Sequence, residues 1–356
     1  MKIAQIIRTI IFLAVFLILL VNISYILRPA DDIKERFMGF YAEDDDTIDM
    51  VMIGSSPVHP HWTSALAYNE YGFTSYPLST NVQNPKAMKY IIREAEKSQS
   101  PKLYVCEIRM FTYTQEYLEE NAYNLVRGVT DNFKYSLNRI NLIRDIAPKN
   151  IEGGSRLSYY FDIMKYHSNW KNCLNGELLK QGDFEEKSSV KGFLFVPDVN
   201  TIKKNDFSNI KDEMAIPSEQ EKILRELIAE IKEKNLNVLF VVAPFEINEN
   251  MHKMSNYMGR IVEEEGYEYI DFNNMYDELG LDFSTDFYNT GHMNIFGAEK
   301  YTKWLGQYIA DNYDLPDHRG DESYSSWDES YEAWKEQSDK TKDKIYELIM
   351  RREYTN

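Results

Sequence analysis

From Thr9 to Leu27 the chain reads TIIFLAVFLILLVNISYIL, 19 residues without a charged side chain. A membrane-crossing helix needs about 20 mostly apolar residues, whereas the core of a secretory signal needs only about 7–15. The run is therefore long enough to stay as an anchor. No small-x-small cleavage site follows cleanly, and no cysteine follows that could carry a lipid. Lys2 and Arg8 precede the run, while Arg28 is soon followed by Asp31 and Asp32. The excess of positive charge on the first side places the N-terminus in the cytoplasm and the rest of the chain outside. The expectation is a single-pass protein of the cell membrane with an extracellular body. A cleaved signal is the alternative, and it exports the body equally.

The 356 residues suit one large domain or two ordinary ones. A hydrophobic content of 43% and a charged content of 27% exclude disorder and collagen-like repetition as the main state. The net charge of −17 argues against a nucleic-acid partner, because phosphate contacts need clustered Lys and Arg. The first 30 residues carry only Lys2, Arg8 and Arg28, so setting them aside leaves a body near −20. So acidic a surface is poorly matched to a polyanionic partner. Aromatic residues at 14% fit a protein that handles sugars or packs irregular loops. Cys106 and Cys173 lie far apart in unlike surroundings and read as two free thiols, which excludes a cysteine metal site.

Along the body, Thr47–Ile53 is a short apolar run ending at Gly54-Ser55-Ser56-Pro57, the pattern of a buried strand stopped by a turn. Gly72–Leu78 and Lys102–Ile108 read as further strands, with a helix over Pro85–Lys97 between them. Residues 112–215 show little strand pattern and read as a helical insertion or cap. Ser218–Asn235 reads as the clearest helix. Ile223, Leu224, Leu227, Ile228 and Ile231 share one face, and Ser218 with Glu221 forms a capping box. Leu236–Ala243 is nearly continuous in apolar residues, as in a parallel strand covered on both faces. Tyr267–Phe272 and Gly297–Tyr313 supply another strand and helix. The alternation implies an α/β fold: a three-layer parallel sheet with helices on both faces. In the tail, residues 314–356, Trp327, Tyr331 and Trp334 form a helical stripe that should dock on the body.

In open α/β sheets, sites form at the carboxyl edge of the strands. Ser56 stands at such an edge, and Asp286-Phe287-Tyr288-Asn289-Thr290-Gly291-His292-Met293-Asn294 precedes the last body helix. A serine nucleophile needs a base within hydrogen-bond reach, and the base needs a group to orient it. Ser56, His292 and either Asp286 or Asn289 supply these types. Read singly, a Gly-Ser-Ser turn is common and a histidine there can merely cap a helix. His59-Pro60-His61 admits a metal reading, but no companion acidic or histidine cluster points to it, so no metal or cofactor is expected.

Together the two blocks resemble the SGNH/GDSL hydrolase superfamily, whose first block is Gly-Asp-Ser and whose last is Asp-x-x-His. The anchor and the Gly-Ser-Ser block are similar to the DltD-like, membrane-anchored polysaccharide O-acyltransferase-type proteins of Gram-positive bacteria. Tyr166-His167-Ser168-x-Trp170, Lys191-Gly192-Phe193 and His292-Met293-Asn294 leading into Gly297-Ala298-Glu299-Lys300 look like a clostridial branch of that group. The resemblance covers residues 46–313. It implies a flavodoxin-like sheet with Ser56 as nucleophile and His292 as base. The position three before the histidine, an acid in the family, is Asn289 here, while Asp286 lies six before it. The family's second and third blocks, which supply oxyanion donors, are not recognisable. Asn81 and Gln83 after the second strand and Arg109 after the third stand in their place, with the Ser56 backbone N–H as a further donor. His167 is a candidate for substrate binding.

The resemblance implies an extracytoplasmic serine acyltransferase that moves an acetyl or D-alanyl group onto a cell-envelope polysaccharide through acyl-Ser56. A glycan O-acyl esterase with the same site is the close alternative, since only the acceptor differs. A non-catalytic glycan- or partner-binding protein is the third, motivated by Asn289 and the missing blocks. A single anchor cannot carry an acyl donor across a bilayer, so transfer implies a membrane-bound O-acyltransferase as donor partner. The expected organisation is a cytoplasmic tip and anchor over residues 1–30, an SGNH-like body over 31–313, and a tail over 314–356.

Overall fold

The computed structural model describes residues 3–120, 122–149, 155–176 and 184–355. It is an α/β structure built on a five-stranded, wholly parallel sheet: β1 (Met50–Gly54), β2 (Ser75–Ser79), β3 (Leu103–Glu107), β4 (Val238–Val242) and β5 (Glu268–Asp271). The spatial order is β2-β1-β3-β4-β5. After β1 the chain pairs first on one side, as β2, and then on the other, as β3. In sheets of this topology ligands bind at such a reversal, here the carboxyl end of β1.

The register explains why these strands carry almost no polar residues. Val51 and Ile53 of β1, Tyr104 and Cys106 of β3, and Phe240 and Val242 of β4 enter one core. The intervening Met50, Met52, Leu103, Val105, Leu239 and Val241 enter the other. The first core is closed by helices Asp32–Tyr41, Met88–Ala95, Ser218–Glu233 and Glu249–Glu264, the second chiefly by Ile295–Asn312. A sheet covered on both faces selects continuous apolar runs. Pro77, which lacks a ladder donor, is confined to the edge strand β2.

Two sequence expectations change in detail. The strands are shorter than their apolar runs, because Gly72 terminates a helix in the left-handed conformation (φ 86°) and β2 begins only at Ser75. The capping box at Ser218 does not form. Pro217 occupies the cap position without a side-chain bond, and Glu221 turns outward to accept from Arg225 Nε at 2.9 Å and Tyr257 Oη at 2.7 Å.

The stretch expected as a helical insertion divides in two. Its first half holds short helices, among them Leu137–Ile146, Leu157–Tyr160 and Ile163–Tyr166. From Phe184 to Pro217 the chain is an irregular strap. The strap bonds to the body through Leu194 N–H to His59 C=O (3.0 Å) and Asn200 N–H to Phe287 C=O (2.7 Å). The tail forms a helix over Ser325–Thr355 whose Trp327 and Trp334 are buried. Trp327 packs against the Tyr68 ring at 5.7 Å and under Lys191 Nζ at 4.4 Å, where Lys191 pairs with Glu43 at 2.9 Å. At the other end, an apolar helix spans Ile3–Leu27 and is long and apolar enough to cross a membrane.

Candidate active site

Ser56 follows β1 directly. Gly54 ends that strand because a side chain there would lie 2.7 Å from Glu107 Cβ on β3 and 2.8 Å from Val58 Cγ2. A turn closed by Val58 N–H to Ser55 C=O at 3.1 Å then leads into the short helix Val58–His61 and leaves Ser56 at the carboxyl edge of the sheet. The Ser55 hydroxyl accepts from Gln83 N–H at 3.1 Å, tying the β1 turn to the loop after β2.

The base arrives on a small antiparallel hairpin formed by β6 (Phe287–Asn289) and β7 (His292–Met293). Asn289 and His292 are cross-strand partners flanking the turn Thr290-Gly291, so their side chains leave the same face of the hairpin. This register selects Asn289 over Asp286 as the neighbour of the imidazole. Asn289 Oδ1 lies 2.8 Å from His292 Nδ1, and His292 Nε2 lies 2.7 Å from Ser56 Oγ.

The proton positions follow from the partners. Gly291 N–H donates to Asn289 Oδ1 at 2.9 Å, and a backbone N–H can only donate, so the atom facing His292 is the amide oxygen. His292 Nδ1 therefore carries the hydrogen, and the Nε2 lone pair accepts from the Ser56 hydroxyl. Burial holds the His292 pKa down at about 3, with the Arg109 guanidinium adding to the effect. The imidazole is neutral throughout the physiological range, as a proton acceptor must be. The same burial, with no carboxylate beside Nδ1, makes the imidazolium costly to form.

Residues around this pair complete the wall. Tyr288 stacks on His292 with ring centroids 5.4 Å apart and planes 9° from parallel. His61 presents its ring edge to His292, and its Nε2 accepts from Met293 N–H at 2.8 Å. His59 Nδ1 meets Ser79 Oγ at 3.0 Å. Both His59 and His61 are fully buried and held well below the usual histidine range by that burial. Among the described residues no group of three or more His, Cys, Asp or Glu converges as a metal site. Cys106 and Cys173 are free, and burial pushes the Cys106 thiol up to about 12.

The remaining sequence candidates separate. Arg109 Nη1 donates to Gly291 C=O at 3.1 Å, and its guanidinium lies over the Phe245 ring at 4.7 Å. Its buried Nε has no partner. Arg109 thus braces the hairpin turn from below and keeps a free donor there. Gln83 stands beside Ser55, with Thr80 Oγ1 3.4 Å from its Oε1. Asn81 lines a different cavity of about 320 Å³ with Arg28, Arg127 and Tyr166. His167 is exposed in a 3₁₀ segment, His167–Leu174, that packs against the end of the apolar helix. Asp286 points away from the imidazole. It accepts from Lys300 Nζ at 2.7 Å and Asp282 N–H at 2.8 Å, and so latches the hairpin to the helix behind it. The Ser56 N–H has no partner among the hydrogen bonds of the described residues.

Tyr288 and Glu107 belong to the site and were not singled out from sequence. Glu107 is a buried carboxyl at the end of β3, raised above its ordinary pKa by burial, that accepts from Arg109 N–H at 3.2 Å. A charged residue closing an apolar strand is the signal that marks it. No protein-family model and no curated protein sequence matches this chain.

Proposed function

We propose that this chain is a membrane-anchored serine acyltransferase of the SGNH type, working outside the membrane through an acyl-Ser56 intermediate. The observation that carries the reading is the 2.7 Å contact between Ser56 Oγ and the unprotonated Nε2 of His292, in the tautomer set by Asn289. The β2-β1-β3-β4-β5 order, with its reversal at β1, supports the SGNH-like assignment.

In the first half-reaction, Ser56 Oγ attacks an acyl carbonyl as its proton passes to His292 Nε2. The carbonyl electron pair moves onto oxygen, which the Ser56 N–H is free to meet. Collapse breaks the bond to the leaving oxygen, and His292 returns the proton to it. In the second half, a sugar hydroxyl gives its proton to Nε2, attacks acyl-Ser56 and departs as the ester, while Ser56 recovers its proton. Water in place of the sugar gives hydrolysis, the esterase reading. Asn289 orients the imidazole by its dipole alone, so the imidazolium is stabilised less than beside a carboxylate. That weakness favours a reactive donor, such as an acyl group handed over by a membrane-bound O-acyltransferase. It also motivates the third reading, a non-catalytic glycan- or partner-binding protein. The acidic body fits a neutral glycan acceptor.

The test is labelling of the full-length protein with a fluorophosphonate. Labelling that disappears in Ser56→Ala supports the proposal. Equal labelling of the variant, or none of either protein, overturns it. Acetate released from acetylated glycan without any acetylated acceptor product would assign the esterase instead.

A further inference from the structure

The apolar helix is not a loose tether. At its carboxyl end Tyr25, Ile26, Leu27 and Arg28 are buried in the body. Arg28 Nε donates to Asp162 at 2.7 Å, Asn169 Nδ2 to Leu27 C=O at 3.0 Å, and Asn172 Nδ2 to Ile26 C=O at 3.2 Å. Asp162 also accepts from Arg139 Nη2 at 2.7 Å, so a buried ion network fixes the helix to the segment between residues 135 and 172. The orientation of the helix therefore dictates which face of the body meets the membrane.

That face is apolar and open. Leu17, Leu20, Val21 and Ser24 of the helix share a cavity of about 520 Å³ with Leu137, Ile140, Phe161 and Ile163. Leu137 is 78% exposed and Phe161 51% exposed. The one guanidinium in the lining, Arg139, is turned inward to Asp162, Tyr159 C=O and Thr130 C=O, so it is not free to head the surface. The height of the patch follows from helix geometry. At about 1.5 Å per residue, a hydrocarbon layer of about 30 Å takes about 20 residues, which counted from Thr9, just past the cytoplasmic Arg8, reaches Arg28. The side chains that share the wall of Leu17, Leu20 and Val21 thus stand inside the hydrocarbon boundary.

We propose that the helix Leu137–Ile146 and the segment Leu157–Tyr166, two short helices joined at Phe161-Asp162, seat Leu137, Ile140, Phe161 and Ile163 in the body-side leaflet of the bilayer. This rests on reading the apolar helix as a membrane anchor. The occupant is lipid, because the patch is continuous with the lipid-facing surface of the anchor and lies at its depth. The seating also orients the site. Arg28, at the membrane junction, and Asn81, on the loop after β2, line one cavity, and Gln83 of that loop bonds to Ser55. The sheet edge that carries Ser56 is thereby turned toward the bilayer and toward substrates held at or near its surface.

Single cysteines replacing Leu137, Phe161, Leu13 and Lys222, in a full-length Cys173→Ser background, test this with an environment-sensitive fluorophore. Cys106 is fully buried and stays unlabelled. The labelled proteins go into phosphatidylcholine–phosphatidylglycerol vesicles whose acyl chains carry bromine, a contact quencher, and only variants with parental thermal unfolding by circular dichroism are compared. Labels at 137, 161 and 13 should lose about half or more of their emission relative to unbrominated vesicles, and the label at 222 almost none. Quenching at 13 but not at 137 and 161 overturns the seating and leaves the anchor standing. No quenching at 13 overturns the anchor reading as well. Labels at 137 and 161 that are open to iodide in pure vesicles, and shielded only in native membranes, would assign the patch to a protein partner and overturn the lipid proposal.

Discussion

Replacing Asn289 with aspartate probes the electrostatics of the pair directly. In the parent protein His292 Nδ1 donates to a neutral amide 2.8 Å away, and burial holds the imidazole down to about 3. The substitution N289D is isosteric, and the Gly291 N–H keeps an oxygen to donate to. It adds one negative charge beside the ring. For unit charges about 4 Å apart, with the effective dielectric near 20 that suits protein sites, the attraction is about 4 kcal/mol. At 1.36 kcal/mol per unit this raises the His292 pKa by roughly three units, to about 6. The assay is a pH titration of the full-length protein carrying ¹³Cε1-histidine, followed by NMR. The His292 signal is identified by its loss in His292→Gln. The parent signal should stay in its neutral position down to about pH 4, while N289D titrates near pH 6. A parent signal that titrates near 6.5, or an N289D signal that moves with the parent, would refute both the tautomer assignment and the role given to Asn289.

Other outcomes follow from the same geometry. Asn289→Ala should slow fluorophosphonate labelling by about 10²-fold or more, because the imidazole loses its orienting partner. Asp286→Ala should leave the labelling rate near parental but lower stability by about 1–3 kcal/mol in urea unfolding, since it removes the buried acceptor of Lys300 Nζ and Asp282 N–H and opens the hairpin latch; the reverse pattern would return the orienting role to Asp286. Stability should fall with pH below about 6.5. His59, His61 and His292 have folded pKa values depressed by burial, so the unfolded chain takes up more protons as pH drops through the ordinary histidine range; denaturant midpoints compared between pH 7.5 and 5 measure it, and a rise on acidification would contradict it. Trp327→Ala should cost about 3–5 kcal/mol in the same unfolding assay, as expected for a buried tryptophan between Tyr68 and Lys191.

Much of the layering was legible because burial on both faces leaves a mark that no local effect imitates. The apolar runs at residues 102–108 and 236–243 contain β3 and β4, the run at 47–53 holds all of β1 but its last residue, Gly54, and the helical stripe of Ile223 to Ile231 is the buried face of the Ser218–Glu233 helix. The capping box failed as a guide because it reads two residues and ignores the third: Pro217 took the cap position, and tertiary partners claimed Glu221. At the site, Ser56 and His292 are 236 residues apart, and residue type and sheet-edge logic were enough to pair them. The choice between Asp286 and Asn289 was not readable. It depends on a two-residue turn that makes Asn289 and His292 cross-strand neighbours, and on Lys300 drawing Asp286 the other way. Asn81 and His167 were chosen for their sequence neighbourhood, yet the fold carries them to the wall of another cavity and to the end of the apolar helix. The exposed apolar patch was illegible for a similar reason: Leu137 and Phe161 look like ordinary insertion residues until the buried Arg28–Asp162 pair fixes the apolar helix beside them.

The central claim is that Ser56 is the nucleophile and His292 Nε2 its base. Mass spectrometry of acid-quenched protein, after brief exposure to an activated acetyl ester, tests it most directly. One acetyl group is expected, located on the peptide that holds Ser56 and absent from Ser56→Ala. In His292→Gln its rate of appearance should fall by at least about 10³-fold. Acetylation that is unchanged in Ser56→Ala, or equally fast in His292→Gln, would contradict it.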